Sequence, residues 1–129
     1  KIALLSAVEV VNPKMQDTVD NAQLKQEYLD GKITNCIVEG PIAFDLAISK
    51  ESAEIKGFDS PVAGEADVLI YPDLAAANIG IKTIINTGHN RTGTFIMGFK
   101  VPFVMSSRGA SKDNKYRSIL LACAVGRIQ

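Results

Sequence analysis

The chain has 129 residues, enough for one domain with a real hydrophobic core. At 47% hydrophobic and 22% charged, its composition excludes a disordered or low-complexity polymer. Fourteen basic residues balance fourteen acidic ones, no basic block appears and tryptophan is absent, so nucleic acid is a poor candidate partner.

Cys36 and Cys123 sit in apolar contexts and read as small buried thiols of a cytosolic protein, not as a disulfide. One histidine and two distant cysteines offer no zinc-type spacing. The longest apolar run, Ile119 to Val125, is too short to span a bilayer, and the start carries no signal-peptide pattern. The cytoplasm follows as the default location, with no membrane partner. Lys1 leads straight into Ile2-Ala3-Leu4-Leu5, so the chain is expected to be a fragment or a trimmed product that opens inside a core strand.

In chain order, Ile2 to Val11 begins as a buried strand of the kind found in parallel sheets. Asn12 as N-cap and Pro13 at the first helical position predict a helix over 13–30. Its apolar face would come from Met15, Val19, Ala22, Leu24 and Tyr28, and Gly31 would close it. Cys36-Ile37-Val38 reads as a second strand stopped by the turn Glu39-Gly40-Pro41. Phe44 to Ile48 reads as a single turn, with Asp45 more suited to capping than to a ligand. Ser49 then opens a helix that closes at Gly57.

Asp67 to Tyr71 is the third strand, stopped by Pro72. Asp73 is the N-cap candidate of a helix whose Leu74, Ala77, Ile81, Ile84 and Ile85 fall at helical spacing and should bury one face. Asn78 and Lys82, four residues apart, project from one side of it. A polar loop, Thr87 to Gly93, carries His89, which suits a surface position better than a catalytic one. Thr94–Met97 and Val101–Met105 read as two further β runs.

Ser106-Ser107-Arg108-Gly109 then leads to a last helix over 112–125, with Ser111 as N-cap and Tyr116, Ile119, Leu120 and Cys123 along one face. A strand-to-helix turn exposes unpaired N–H groups and the positive end of a helix dipole. Ser107 and Arg108 add a hydroxyl and a forked guanidinium, a combination that suits a phosphate or another oxyanion. An ordinary loop whose arginine pairs with a surface carboxylate is the alternative.

Strands alternating with helices predict an α/β fold, a three-layer sandwich with a largely parallel central sheet. Ligands of such sheets bind beyond the carboxyl ends of the strands. Functional weight therefore falls on Glu39-Gly40-Pro41, on Pro72-Asp73 and on Ser106-Ser107-Arg108. Neither GxGxxG nor GxxxxGK[ST] occurs, which removes the basis for dinucleotide or P-loop binding.

These turns also carry a family likeness. Val38-Glu39-Gly40-Pro41-Ile42-Ala43-Phe44-Asp45-Leu46-Ala47 resembles the (Q/D/E)G(P/E)xxxDxA segment of the phosphate acetyl/butyryltransferases. Ser60 to Leu69, Pro72 to Lys82 and Ser107-Arg108-Gly109 follow in the family's order and spacing. Val8 to Met15, with Glu39-Gly40-Pro41, looks most like the butyryl branch.

The resemblance implies an enzyme that moves an acyl group between coenzyme A and inorganic phosphate, giving an acyl phosphate. It implies a two-domain fold of the isocitrate/isopropylmalate dehydrogenase type with the site in the interdomain cleft, commonly in a homodimer. This chain would be its second domain, residues 1–106, plus a loop and helix, 107–129, that pack back on the missing first domain. Acyl-CoA and phosphate would be substrates, with no other cofactor and no metal.

Arg108, Ser107 and Asn78 take the catalytic positions by that likeness, and Lys82, Gly109, Asp113 and Asp73 the substrate-binding ones. Two departures stand out. In the acetyl branch, a carboxylate six residues after the motif arginine looks like the base that deprotonates the thiol. Here that position is Asn114, with Asp113 adjacent but about 100° away around the helix. The family's Gly-Asn-Ile-x-Tyr-Lys reads Ala77-Asn78-Ile79-Gly80-Ile81-Lys82. A phosphate acetyltransferase and a non-catalytic dimerisation or binding fragment remain alternatives. A dehydrogenase of the same fold is weaker, lacking a dinucleotide fingerprint.

Overall fold

The computed structural model describes residues 1–88 and 90–126, and the chain divides into two compact units, Lys1–Asn78 and Ile79–Gln129. The first unit is α/β. Its three-stranded parallel sheet has the order β2-β1-β3, with β1 (Ile2–Leu5) between β2 (Val38–Ile42) and β3 (Val68–Ile70). Ile2 pairs with both Val38 and Val68, so β1 is hydrogen-bonded on both edges.

β1 buries both faces, as its unbroken apolar run requires. Ala3 and Leu5 point into a core completed by Ile42, Leu46, Ala47, Ala53 and Val62, whereas Leu4, of opposite parity, lies outside that cluster. Fully burying side chains such as Ile42, Leu46 and Val62 contributes about 1.5–3 kcal/mol each. The apolar run continues beyond Leu5 in sequence but not in structure: Val10 and Val11 are exposed on the loop that follows.

β2 differs from the sequence expectation. The strand runs through Glu39-Gly40-Pro41 instead of stopping there, with a cis Gly40–Pro41 bond and a register shift opposite Ala3–Leu5. Glycine at 40 allows this close approach, because a Cβ there would lie 2.6 Å from Leu4 Cβ and 3.1 Å from the Leu4 carbonyl. Glu39 is buried and fully occupied: its Oε1 accepts from Lys25 Nζ at 2.5 Å and from the Gly40 N–H, and its Oε2 accepts from Ser60 Oγ at 2.9 Å. It ties α1, β2 and the loop before β3 together, and is not a turn residue presented to a ligand.

α1 spans Gln16–Leu29, one turn later than predicted, and packs on β2. Asn12 does not cap it; its Oδ1 accepts from the Lys14 N–H in a local turn that contains Pro13. Thr18 Oγ1 bonds both the N–H and the carbonyl of Asn12, and so holds this turn against the helix. The buried face carries Thr18 and Asn21, not the expected apolar set, and Leu24 is exposed. Asn21 Nδ2 reaches the carbonyls of Leu4 and Leu5 and the Ser6 hydroxyl, where β1 ends.

α2 (Phe44–Ile48) and α3 (Lys50–Lys56) pack on each other. Ser49 Oγ accepts from the Ser52 N–H, and Gly57 in the left-handed region closes α3 with the paired bonds of a Schellman motif. Asp45 caps nothing; it pairs with Lys56, which also holds Glu9.

α4 (Leu74–Thr87) begins in the first unit and ends in the second. Its periodic apolar face is not buried: Leu74 is 83% exposed and Ile81 46%. In the second unit the two predicted β runs reduce to one antiparallel bridge, Ile96 to Phe103, beside stacked Phe99 and Phe103 rings. A two-stranded ribbon with no further strand to pair with is marginal. α5 (Lys112–Gly126) buries Ser118 and Ala122, whereas Tyr116, Ile119, Leu120 and Cys123 are exposed. Ser118 Oγ donates to the Asn114 carbonyl and accepts from the Thr94 N–H, fixing the 93–94 loop against the helix. Neither cysteine is disulfide-bonded, and Cys36 is half-buried.

Gly40→Ala is expected to destabilise the first unit by about 1–3 kcal/mol, because the added methyl meets the Leu4 side chain and backbone. Equilibrium urea unfolding of both proteins measures this, and an unchanged midpoint would refute the close-approach argument.

Candidate functional site

The turn after the Ile96–Phe103 bridge is built from its hydroxyls and glycine. The Ser107 carbonyl accepts from the Ala110 N–H at 3.1 Å, which places Arg108 and Gly109 at the tip of a tight turn. Ser107, Arg108 and Gly109 are all exposed, and Arg108 makes no ion pair among the described residues. Ser111 caps α5 as its sequence position predicts, with Oγ accepting from the Asn114 N–H at 3.1 Å. The N–H groups of Lys112 and Asp113 have no acceptor within the helix by geometry. A guanidinium, a hydroxyl and a helix start therefore lie within a few residues on an open surface, the chemistry of an oxyanion site.

The remaining predicted residues are placed as follows. Asp73 caps α4, its Oδ1 accepting from the Ala76 N–H at 2.7 Å. Asn78 and Lys82 lie on exposed positions of α4, and Lys82 forms no ion pair among the described residues. Asp73 and Asn78 belong to the first unit; Lys82, Ser107, Arg108, Gly109 and Asp113 belong to the second. His89 lies outside the described residues.

In the first unit the carboxyl ends of β1 and β3 open into a crevice of about 660 Å³. Ser6 and Tyr71 line it from the strand ends, Gln16 and Asp17 from the start of α1, and Asp73 from the start of α4. Sequence reasoning weighted the Pro72-Asp73 end of this crevice and missed Ser6 and Gln16. Ser6 follows an apolar run, and the helix start was placed three residues too early for Gln16 to be seen at it.

Asp113 and Asn114 carry the question of a proton acceptor. Asn114 is half-buried in the first turn of α5, its N–H given to the cap and its carbonyl to Ser118. Asp113 Oδ2 accepts from Arg117 Nε at 2.7 Å in a helical i,i+4 ion pair. That hydrogen bond holds the Asp113 carboxyl below its ordinary range, opposed by partial desolvation and helped by the charges of Arg117 and Arg91. A lowered value means a weaker base. The pair stabilises above the unfolded carboxyl's range and is lost as pH falls through the lowered value, and its place on the surface keeps the effect small. Arg117→Ala is expected to move the Asp113 titration upward in carboxyl carbon NMR; an unmoved titration would show that Arg117 does not set it.

The phosphate acetyl/butaryl transferase family matches residues 1–123. The chain is 46% identical over 122 residues to the phosphate acetyltransferase of Thermotoga maritima, covering 95% of this chain and 42% of that protein. It is 41% identical over 125 residues to the phosphate butyryltransferase of Clostridium acetobutylicum, covering 97% and 42%. Among solved structures, a branched-chain phosphotransacylase from Enterococcus faecalis superposes with a TM-score of 0.86 at 37% identity, over 95% of this chain and 44% of that one. The chain thus spans about two fifths of the length of these relatives. Over nearly its whole length, through the Ser107-Arg108-Gly109 turn and most of α5, this chain belongs to the phosphate acetyl/butaryl transferase family.

Proposed function

We propose that the chain is the part of a phosphate acyltransferase, of the phosphate butyryltransferase type, that holds the phosphoryl group. The whole enzyme would move a short acyl group between coenzyme A and inorganic phosphate to give an acyl phosphate. The observation that carries this reading is the exposed Ser107-Arg108-Gly109 turn ahead of a capped helix, inside a family match that covers residues 1–123.

The chemistry accounts for the residue types. In one direction the coenzyme A thiolate attacks the acyl-phosphate carbonyl, a negatively charged tetrahedral intermediate forms, the C–O bond breaks and phosphate leaves. The acyl carbon thereby exchanges its C–O bond to phosphate for a C–S bond to coenzyme A, and the thiol proton must go to a base. Arg108 and Ser107 hold the phosphoryl oxygens, and the N–H groups of the Gly109 turn and of the start of α5 add to that field. By the family likeness, Asn78 would take a catalytic position in the whole enzyme, and Lys82 and Asp73 substrate-binding ones. Asp113 takes the proton, a role that requires the substrate complex to displace Arg117 from it.

The whole enzyme's fold in this reading is of the isocitrate/isopropylmalate dehydrogenase type, with residues 1–106 in the second domain and 107–129 packing back on the first. Substrates are acyl-CoA and inorganic phosphate, with no further cofactor, in a cytoplasmic homodimer. Exposed Ile79, Met97, Phe99, Tyr116 and Leu120 support surfaces that the whole assembly covers. No helix among the described residues is long and apolar enough to cross a membrane.

Two observations favour alternatives. Identity to the Thermotoga maritima acetyltransferase, 46%, exceeds the 41% to the Clostridium acetobutylicum butyryltransferase, which supports an acetyl-specific enzyme. The coverage of about two fifths of those relatives and the engagement of Asp113 by Arg117 support a non-catalytic dimerisation or binding fragment. Arg108→Ala in the protein that contains this chain tests the catalytic reading against the binding one. Phosphate-dependent release of free thiol from acyl-CoA is expected to fall by about 10²- to 10³-fold, the cost of removing one donor to a developing anion. Unchanged turnover would remove Arg108 from the reaction.

A further inference from the structure

The helix that follows the Ser107-Arg108-Gly109 turn carries two amines that no contact accounts for. Lys112 and Lys115 are exposed on the first turn of α5 and form no ion pair among the described residues. Positions three apart on a helix are neighbours on its surface. Helical side chains lean toward the helix N-terminus, so both lysines reach back over the end that Ser111 caps. The Lys112 N–H is itself one of the donors left without a helical acceptor. Between Ser107 and Arg117 the cations Arg108, Lys112, Lys115 and Arg117 stand against the single carboxylate of Asp113, which Arg117 engages. An anion held on this turn therefore has two lysine amines beside it.

Other lysines of the chain are committed elsewhere. Lys50 donates to Glu65, and Lys56 donates to Glu9 and Asp45; these bonds hold both amines above their ordinary range, as ammonium ions with no lone pair to offer. Lys25 is tied to Glu39. An acyl phosphate is a mixed anhydride, and its acyl carbon is open to an unprotonated amine that meets it. Near neutral pH only a small share of a lysine is unprotonated, and a donor bound alongside raises the effective concentration that this share meets.

We propose that Lys112 and Lys115 are acylated by acyl phosphate bound at this turn, and that the modification lowers the turn's affinity for phosphate. The proposal rests on the acyltransferase reading above and adds to it a regulation of the same site by its own product. The unprotonated Nζ adds to the acyl carbon, the C–O bond to phosphate breaks and a C–N amide bond forms. Inorganic phosphate leaves and takes up the proton that the nitrogen releases. Each event turns a cation into a neutral amide, so the turn loses positive charge and holds phosphoryl oxygens less well.

Acetyl phosphate incubated with the protein that contains this chain, followed by peptide mass spectrometry, tests the proposal. Lys112 and Lys115 are expected to acetylate about fivefold or more faster than Lys14 and Lys32, exposed lysines of the first unit that also lack an ion pair among the described residues. Excess inorganic phosphate and Arg108→Ala should each abolish that preference, and acetic anhydride, which has no phosphoryl group, should show none. After incubation the phosphate Kd, measured by calorimetry, should rise by about fivefold through the loss of two nearby surface charges. In a variant carrying both Lys112→Arg and Lys115→Arg, which keeps the charges without the amines, incubation should leave the Kd where it was. Equal acetylation of the four lysines, a preference that survives Arg108→Ala or is shared by acetic anhydride, or acetylation with no change in Kd would overturn the proposal. Phosphate-dependent thiol release by the unmodified protein is assayed separately. Release without preferential acetylation overturns this proposal alone, and preferential acetylation without release supports the modification while removing the acyltransferase reading.

Discussion

The parallel pairing of β1 with a strand on each side is the constraint on which the first unit depends. The strand Ile2 to Leu5 is paired along both edges, and Ala3, Leu4 and Leu5 are buried, so every neighbour must conform to it. β2 conforms by presenting Gly40, whose missing side chain makes room for Leu4. The cost of carrying a carboxylate on a buried strand is offset by saturating Glu39 with three donors. At the end of β1 the chain turns away, and Asn21 from α1 takes up the two carbonyls and the hydroxyl left there. The crevice exists because strand, helix start and loop meet at that point.

The same logic explains which parts of the molecule were legible from sequence. Caps and stops that are local chemistry read correctly: Ser49 with Gly57, Asp73 before α4, and Ser111 before α5. Each depends on residues within a turn of one another. Tertiary placement did not follow from periodicity. α4 and α5 carry apolar side chains at helical spacing, but these side chains stay exposed, because spacing specifies a face without specifying what covers it. α1 fails in the opposite sense, burying Thr18 and Asn21 where an apolar stripe was expected. Glu39-Gly40-Pro41 has turn composition, yet the pairing to β1 overrides it. The sheet class, parallel α/β, was recoverable because buried parallel strands leave short unbroken apolar runs.

For the candidate site the legible part was the local geometry of the proposed anion hold. Ser107, Arg108 and Gly109 sit on one exposed turn before a capped helix, as their order suggested. The surroundings of the proposed proton acceptor were the illegible part. Asp113 and Asn114 differ by one position in sequence, but the Asp113 carboxylate is drawn to Arg117, whereas the bonds of Asn114 are those of its backbone, to the cap and to Ser118. Only side-chain partners distinguish such neighbours. An acidic residue at a helix start is favoured electrostatically whether or not it does chemistry.

The central claim is that this chain belongs to an enzyme that uses phosphate as the acyl acceptor. A panel of acetyl-, butyryl- and branched-chain acyl-CoA substrates, assayed for free thiol with and without inorganic phosphate on the protein that contains this chain, tests it most directly. The account predicts thiol release that requires phosphate and is fastest with the butyryl or short branched substrates. Release that proceeds equally without phosphate, or none with any substrate, would contradict it.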